Sequence, residues 1–436
     1  MSGTLHVVGA GLAGLAAALG AGSRQVLLHE AAPQAGGRCR SYHDPVLGRE
    51  IDNGNHLVLS GNRDVAAFLQ ETGGATAIDT APRAGFDFID LAQQDLRWRL
   101  DLGIGRMPWW LFDRQRRVAG TGIADYLACL PLMREPSASL SVGEVLRTDT
   151  VLYRRLLQPL LIAALNTPAE YGSARLAAAI VRETLGAGGQ ACRPMVARHG
   201  LSAAFIAPAL DTLRARGARF AFGHRLRQLV LRPDGCALAA LAFDDATIAL
   251  GAEDAVILAV PSWVATALLP GLIAPEENQA IVNLHYDMTP PPGCPALVGV
   301  VGGLSEWVFA YPDRLSVTIS AADRLLDTPR ETLAARCWPE VARTVGLPAT
   351  TPMPRWQVVR EKRATFAATP QQDARRPGPL TALDNLFLAG DWTATGLPAT
   401  IEGAIRSGRR AAAAVPPAHS GGARSAPSHA LSAQAE

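Results

Sequence analysis

Charge is scarce in this sequence. Asp, Glu, Lys and Arg make up 18% of its 436 residues and balance to a net +2. No basic surplus exists to follow a phosphate backbone, so nucleic-acid binding is excluded as a class. The six cysteines, Cys39, Cys129, Cys192, Cys236, Cys294 and Cys337, are scattered and form no CxxC pair. That pattern indicates neither a zinc site nor a disulfide framework; no metal is expected, and the thiols fit a reducing compartment. Nowhere do about 20 apolar residues run uninterrupted, so no membrane-spanning helix is indicated. The apolar amino-terminal run lacks the charged flank and small-residue cleavage site of a secretory signal. The expectation is a cytoplasmic protein.

What is abundant is apolar. Hydrophobic residues are 48% of the chain, enough for a large core and too many for a disordered protein. Mean hydropathy is +0.11, high for a soluble chain. A greasy ligand, contact with a membrane surface, or abundant alanine each explains it. The length suggests two or three domains.

The start reads strand, turn, helix, strand. Residues 5–8 form a short apolar run suited to a buried parallel strand, residues 15–21 are rich in alanine and leucine and suit a helix, and residues 25–30 form the second strand. Residues 90–200 look mostly helical. Strand patterns return over 219–260, with a turn at Pro233-Asp234-Gly235. Short strands and a helix alternate over 286–375. A buried strand is expected at 385–389 and a closing helix at 401–415. The division that follows is 1–90, 200–285 and 376–415 for a discontinuous nucleotide-binding domain, 91–199 and 286–375 for a substrate domain, and 416–436 as a disordered tail.

Gly9, Gly11 and Gly14 complete a GxGxxG fingerprint. Gly9 serves the tight turn, Gly11 admits a pyrophosphate to the backbone, and Gly14 lets helix and strand pack closely. The helix start, with Leu12 and Ala13, offers free N–H groups and partial positive charge to the phosphates. Glu30 closes the second strand, 16 residues past Gly14, where a carboxylate accepts both ribose hydroxyls. It disfavours a 2′-phosphate but does not separate FAD from NAD.

Gly36-Gly37-Arg38 begins six residues after Glu30. The glycine pair allows close backbone contact, and the arginine offers a fork of donors to phosphate. This combination resembles the GG-doublet flavoproteins, a superfamily that includes amine oxidases, protoporphyrinogen oxidases and carotenoid desaturases. The resemblance implies FAD as cofactor. It also implies an α/β fold: a discontinuous, GR2-like Rossmann-type FAD-binding domain with a mixed-sheet and helical substrate domain. By the same likeness Gly37 and Arg38 join the cofactor site, Gly390 and Asp391 meet the ribityl chain, and Leu226 holds the adenine through its backbone. Thr400 and Ile401 start a helix whose N–H groups face the flavin pyrimidine.

Four stretches narrow the likeness further: Asp52-Asn53-Gly54-Asn55-His56, Leu165-Asn166-Thr167-Pro168, Glu361-Lys362-Arg363-Ala364-Thr365-Phe366, and Gly390-Asp391-Trp392-Thr393 with the following Gly396–Gly403 segment. They resemble the hydroxysqualene dehydroxylase family. That implies transfer of hydride from reduced flavin to hydroxysqualene, a C30 isoprenoid, with the hydroxyl leaving as water and squalene as product. Such a reaction needs an acid at the leaving hydroxyl and a dry pocket around a cation-like carbon. His56 is the first candidate acid; the alternative is a structural partner of the flavin, a role in which Asn55 and His56 would both contact the cofactor. Glu361 and Lys362 are further candidates, or else a solvated charge cluster. The same cofactor site would serve a phytoene-type desaturase, an amine oxidase-like enzyme or a non-catalytic flavin-binding partner. No second GxGxxG unit convincingly offers an NADPH domain, so the reductant is NADPH bound briefly or a reductase protein.

Residues 106–117, RMPWWLFDRQRR, interleave aromatics with arginines. That composition suits an interfacial element at the inner membrane, marking a tunnel mouth. It equally suits a core-packed helix with a charged outer face.

Overall fold

A computed structural model describes residues 3–417; most of the expected tail, 418–436, lies outside them. Among the described residues the nucleotide-binding part is a five-stranded sheet in the order Arg219–Phe222, Gln25–Glu30, Thr4–Val8, Ala255–Leu258, Leu386–Leu388. Its strand pairs are all parallel. Helices cover one face, and a three-stranded antiparallel sheet of Leu226–Leu231, Leu238–Phe243 and Thr247–Ala249 packs on the other, so its central strands are apolar on both faces: Leu5, Val7, Val8, Val256, Ile257 and Leu258 are all buried. The last strand begins 356 positions after the end of the strand Gln25–Glu30, and the closing helix Ile401–Ala414 then packs on the first helix, Leu12–Leu19.

The second part is a seven-stranded sheet in the order Trp356–Phe366, Asn278–Tyr286, Arg314–Ile319, Trp307–Tyr311, Leu297–Val301, Gly85–Asp90, Leu96–Asp101. Helix Arg330–Thr344 seals one face, with Leu333, Cys337, Trp338 and Val341 against Val282, Leu284, Val317 and Ile319. The other face carries Phe86, Phe88, Trp98, Trp307 and Phe309. It looks toward the helical segment and the nucleotide-binding part.

Strand Gly85–Asp90 runs parallel to Leu297–Val301, from Asp87↔Val298 to Asp90↔Val301. Strand Asn278–Tyr286 is sandwiched between two others of the same sheet. By sheet membership we propose that the domain divisions fall just before residues 85 and 278, ahead of the limits at 90 and 285 that the sequence pattern suggested.

Segment 106–117 is not a core helix. It holds two single 3-10 turns, Trp109–Phe112 and Arg114–Arg116, with Trp109 and Phe112 each 69% exposed.

The two helices that clamp the nucleotide sheet meet backbone to backbone. A Cβ on Gly408 would lie 2.0 Å from the carbonyl oxygen of Ala13, so only glycine permits the approach. Gly408→Val is expected to force the helices apart and cost about 3 kcal/mol of stability. Scanning calorimetry reads this as a clear drop in Tm; an unchanged Tm would contradict the packing.

Candidate functional site

The strand Thr4–Val8 delivers the chain into a turn at Gly9, whose φ of +108° favours glycine. A Cβ at Gly14 would fall 1.8 Å from the Gly9 carbonyl oxygen, so helix and strand meet as the fingerprint requires. Glu30 ends the second strand and turns its carboxylate back onto the turn: Ala10 and Ala32 donate their N–H groups to it at 2.7 and 2.8 Å.

A cavity of about 960 Å³ opens from this turn and continues into the space between the two sheets. Gly9, Gly11, Leu12, Ala13, Glu30, Gly37, Arg38 and Leu226 line its nucleotide end; Asn55, His56, Glu361, Gly390, Asp391, Thr400 and Ile401 also line it. Gly14 lies beneath the turn rather than on the wall. Lys362 does not reach the cavity either. It follows Glu361 on strand Trp356–Phe366 and is exposed, because successive side chains on a strand face opposite ways.

Asp391 accepts from Arg38 Nη2 at 2.8 Å across 353 residues of chain, and Arg38 also donates to the Ala364 carbonyl. The glycine-pair segment, the carboxy-terminal Gly-Asp and the long strand of the second sheet therefore meet at one guanidinium. Arg38, expected on a phosphate, here holds the acid. Arg376, missed in the sequence, steadies the same loop from behind. Its Nη2 donates to the Asp391 carbonyl at 3.1 Å, to Thr395 Oγ1 at 2.9 Å and to the Thr393 carbonyl, while Nη1 pairs with Asp373 at 3.1 Å. Thr400 caps the closing helix by accepting from the Gly403 N–H at 3.0 Å, which leaves the first helical N–H groups at the cavity.

Beyond this point the walls are chiefly apolar: Phe86, Phe88, Leu100, Leu157, Leu160, Ile180, Ile281, Trp307 and Phe309. One polar island interrupts them. Asn53 Nδ2 donates to Glu361 Oε2 at 3.2 Å. Asn283 Oδ1 accepts from Thr318 Oγ1 at 2.9 Å and from the Asn55 N–H at 3.3 Å, and Tyr311 donates to Asn55 Oδ1 at 3.3 Å. Burial pushes the His56 imidazole down to about 4, and the Arg38 charge adds to the effect. His56 is therefore neutral at ordinary pH and carries no imidazolium proton. Asn53, Asn283 and Thr318 were absent from the sequence-based candidates. The only signal was two polar residues, Asn283 and His285, in the otherwise apolar stretch 280–286 of a strand.

Over residues 12–416 the chain matches the family of flavin containing amine oxidoreductases. It is 55% identical over 415 residues to hydroxysqualene dehydroxylase of Rhodopseudomonas palustris, covering 94% of this chain and 98% of that one. The Sinorhizobium fredii hydroxysqualene dehydroxylase is 51% identical over 410 residues, covering 94% and 97%. The chain belongs to the hydroxysqualene dehydroxylase family. As a family member it is an FAD-dependent oxidoreductase. Among solved structures, a redesigned putrescine oxidase shares the fold at TM-score 0.70 and 18% identity, over 95% of this chain and 98% of that one. Cyclohexylamine oxidase from Brevibacterium oxydans does so at TM-score 0.70 and 15% identity, over 95% and 99%.

The residues present fit FAD. A Cβ added at Gly11 would meet no protein atom within 4 Å, although Gly11 stands on the cavity wall at the helix start. Backbone and open space there form a cradle that a side chain would fill. Gly11→Val is expected to leave the Tm of the flavin-free protein unchanged and to abolish flavin retention, read from visible absorbance after purification. A yellow Gly11→Val protein with wild-type flavin content would contradict the cradle.

Proposed function

We propose that this chain reduces hydroxysqualene to squalene, with loss of the hydroxyl as water, and that Glu361 is the proton donor. The observation that carries the reading is one available carboxyl group in an apolar cavity. Four carboxyl groups line the cavity: Glu30, Glu361, Asp391 and Glu402. Glu30 is held by the backbone N–H groups of Ala10 in the nucleotide turn and of Ala32 just beyond the strand. Asp391 is paired with Arg38. Glu402 accepts from the N–H groups of Asp64 and Val65 and pairs with Arg406. Among the described residues Glu361 accepts one hydrogen bond, from the Asn53 amide, and feels the Arg38 charge without a direct ion pair, so an oxygen remains for a substrate hydroxyl.

Bound FAD, once reduced, supplies the hydride. Gly9, Gly11, Gly37 and Glu30 are the residues we assign to its dinucleotide half, with Leu226 at the adenine. Asp391, Thr400 and Ile401 are assigned to its ribityl and pyrimidine parts, and Asn55 and His56 would contact it from the cavity wall. Glu361 protonates the departing hydroxyl, which a carbon cannot release as hydroxide into an apolar wall. Neutral His56 adds no charge to oppose the positive character developing on carbon. The faces of Phe88, Trp307 and Phe309 surround that region and exclude water. Lys362, outside the cavity, has no part in the chemistry. Electrons come from outside, from NADPH or a reductase protein; one dinucleotide-binding sheet is present among the described residues.

The partner implied by a C30 substrate is a lipid phase. No helix among the described residues is long and apolar enough to cross a membrane. We propose instead peripheral contact at the cytoplasmic face of the inner membrane, centred on 106–117. Ile104, Met107, Trp109, Phe112, Leu127 and Leu130 are all more than half exposed, and the Arg106 and Arg114 side chains beside them are also exposed. The segment adjoins the cavity wall: Trp110 sits edge-on to Tyr126, and both pack on the cluster that includes Leu160 and Cys192.

Two outcomes test this. Glu361→Gln is expected to keep its FAD and lower kcat for squalene formation by about 10²-fold or more; wild-type turnover would remove Glu361 as the donor. Trp109→Ser with Phe112→Ser is expected to lose flotation with anionic liposomes while keeping turnover on detergent-dispersed substrate. Equal flotation would reject the membrane contact.

A further inference from the structure

We propose that the carboxamide of Asn283 is the group that grips the substrate hydroxyl, held in place by Thr318 and Asn55. This rests on the dehydroxylation reading and adds to it a specificity-determining residue.

The orientation of the amide is fixed by its neighbours. The Asn55 N–H can only donate, and it points at Asn283 at 3.3 Å. The atom facing it is therefore the amide oxygen, which also takes the Thr318 hydroxyl at 2.9 Å and the Asn55 amide at 3.5 Å. With the oxygen engaged, Nδ2 has to turn the other way. There it meets only the Asn53 carbonyl, at 3.5 Å, the limit of a hydrogen bond. An amide nitrogen has two protons to place, and Asn283 is 1% exposed. A buried donor left without an acceptor is costly, so a ligand oxygen at this point is strongly favoured.

Gly54 keeps that donor uncovered. It lines the cavity with Asn283, and a Cβ there would come within 3.3 Å of Asn283 Nδ2. The glycine of the Asp52-Asn53-Gly54-Asn55-His56 stretch thus leaves room over the amide. The rest of the wall around it, Ile281, Trp307 and Phe309, offers hydrocarbon and aromatic faces. An isoprenoid alcohol would bury its chain there and present its one oxygen to Asn283. The island continues through Asn53 to Glu361, so the group that holds the oxygen is joined to the group proposed to protonate it. An amide does not give up a proton; its part is to bind and orient the hydroxyl, and a site built to bond a hydroxyl rejects analogues without one.

The test compares two ligands that differ by that hydroxyl. Binding of hydroxysqualene and of squalene to the oxidised holoenzyme is followed by flavin spectral change, for wild type, Asn283→Leu and Thr318→Val. The expected result is a Kd for hydroxysqualene raised about 10-fold or more in Asn283→Leu, with the Kd for squalene within about two-fold of wild type. Thr318→Val, which removes one of the bonds fixing the amide, should move the same way by a smaller factor. Affinity lost equally for both ligands, or for neither, in both variants would overturn the proposal. A wild type that converts hydroxysqualene while neither variant loses affinity for it selectively over squalene sinks the amide clamp alone. A wild type that neither binds nor converts hydroxysqualene sinks the dehydroxylation reading, and the clamp with it.

Discussion

Arg38 and Asp391, 353 positions apart in the chain, touch at 2.8 Å, and the site exists only because they do. The guanidinium belongs to the glycine pair that follows the first βαβ unit. The carboxylate stands three residues past the last strand, Leu386–Leu388, of the same parallel sheet. Between them the chain leaves, builds a second sheet, and returns. Arg376 repeats the constraint from the far side, with a buried ion pair to Asp373 and three acceptors on the loop from Asp391 to Thr395. Breaking one partner of such a buried pair leaves an uncompensated charge, which is why these contacts define a single geometry.

That closure sets two walls face to face. One is the nucleotide turn and the start of helix Ile401–Ala414, rich in N–H groups and suited to anionic parts of a cofactor. The other is the aromatic face of the seven-stranded sheet. A polar group buried between them is expensive unless bonded, so the few that are present deserve a chemical reason. Asn53, Asn55, Asn283, Thr318 and Tyr311 satisfy one another almost completely. The remainder, one oxygen of Glu361 and one amide proton of Asn283, are what a bound alcohol would complete.

The nucleotide half was legible in the sequence because its demands are local. A pyrophosphate needs glycine at fixed spacing, a ribose needs a carboxylate at the strand end, and Gly9, Gly11, Gly14 and Glu30 satisfy both within one βαβ unit. The substrate half was legible only by likeness to a family, since its residues are scattered over four strands and a loop. Asn283 and Thr318 have no spacing relation to each other; antiparallel pairing of their strands brings them together, with Asn283 opposite Thr318. The strand Gly85–Asp90 was placed with its sequence neighbours, whereas a parallel pairing to residues more than 200 positions later draws it into the other sheet. Lys362 shared its stretch with Glu361 and fell on the opposite face, since a strand turns neighbouring side chains apart. His56 reached the cavity, but burial beside Arg38 keeps it neutral, and this environment was invisible in the one-dimensional pattern.

The central claim is that this apolar cavity, with one free carboxyl group, runs the flavin reductively on an isoprenoid alcohol. It is tested most directly by an anaerobic single turnover: the holoenzyme is photoreduced, mixed with hydroxysqualene in a stopped-flow instrument, and the products are extracted. The account predicts that oxidised-flavin absorbance returns with one squalene formed per flavin. Flavin that stays reduced in the presence of hydroxysqualene, or reoxidation without squalene, would contradict it.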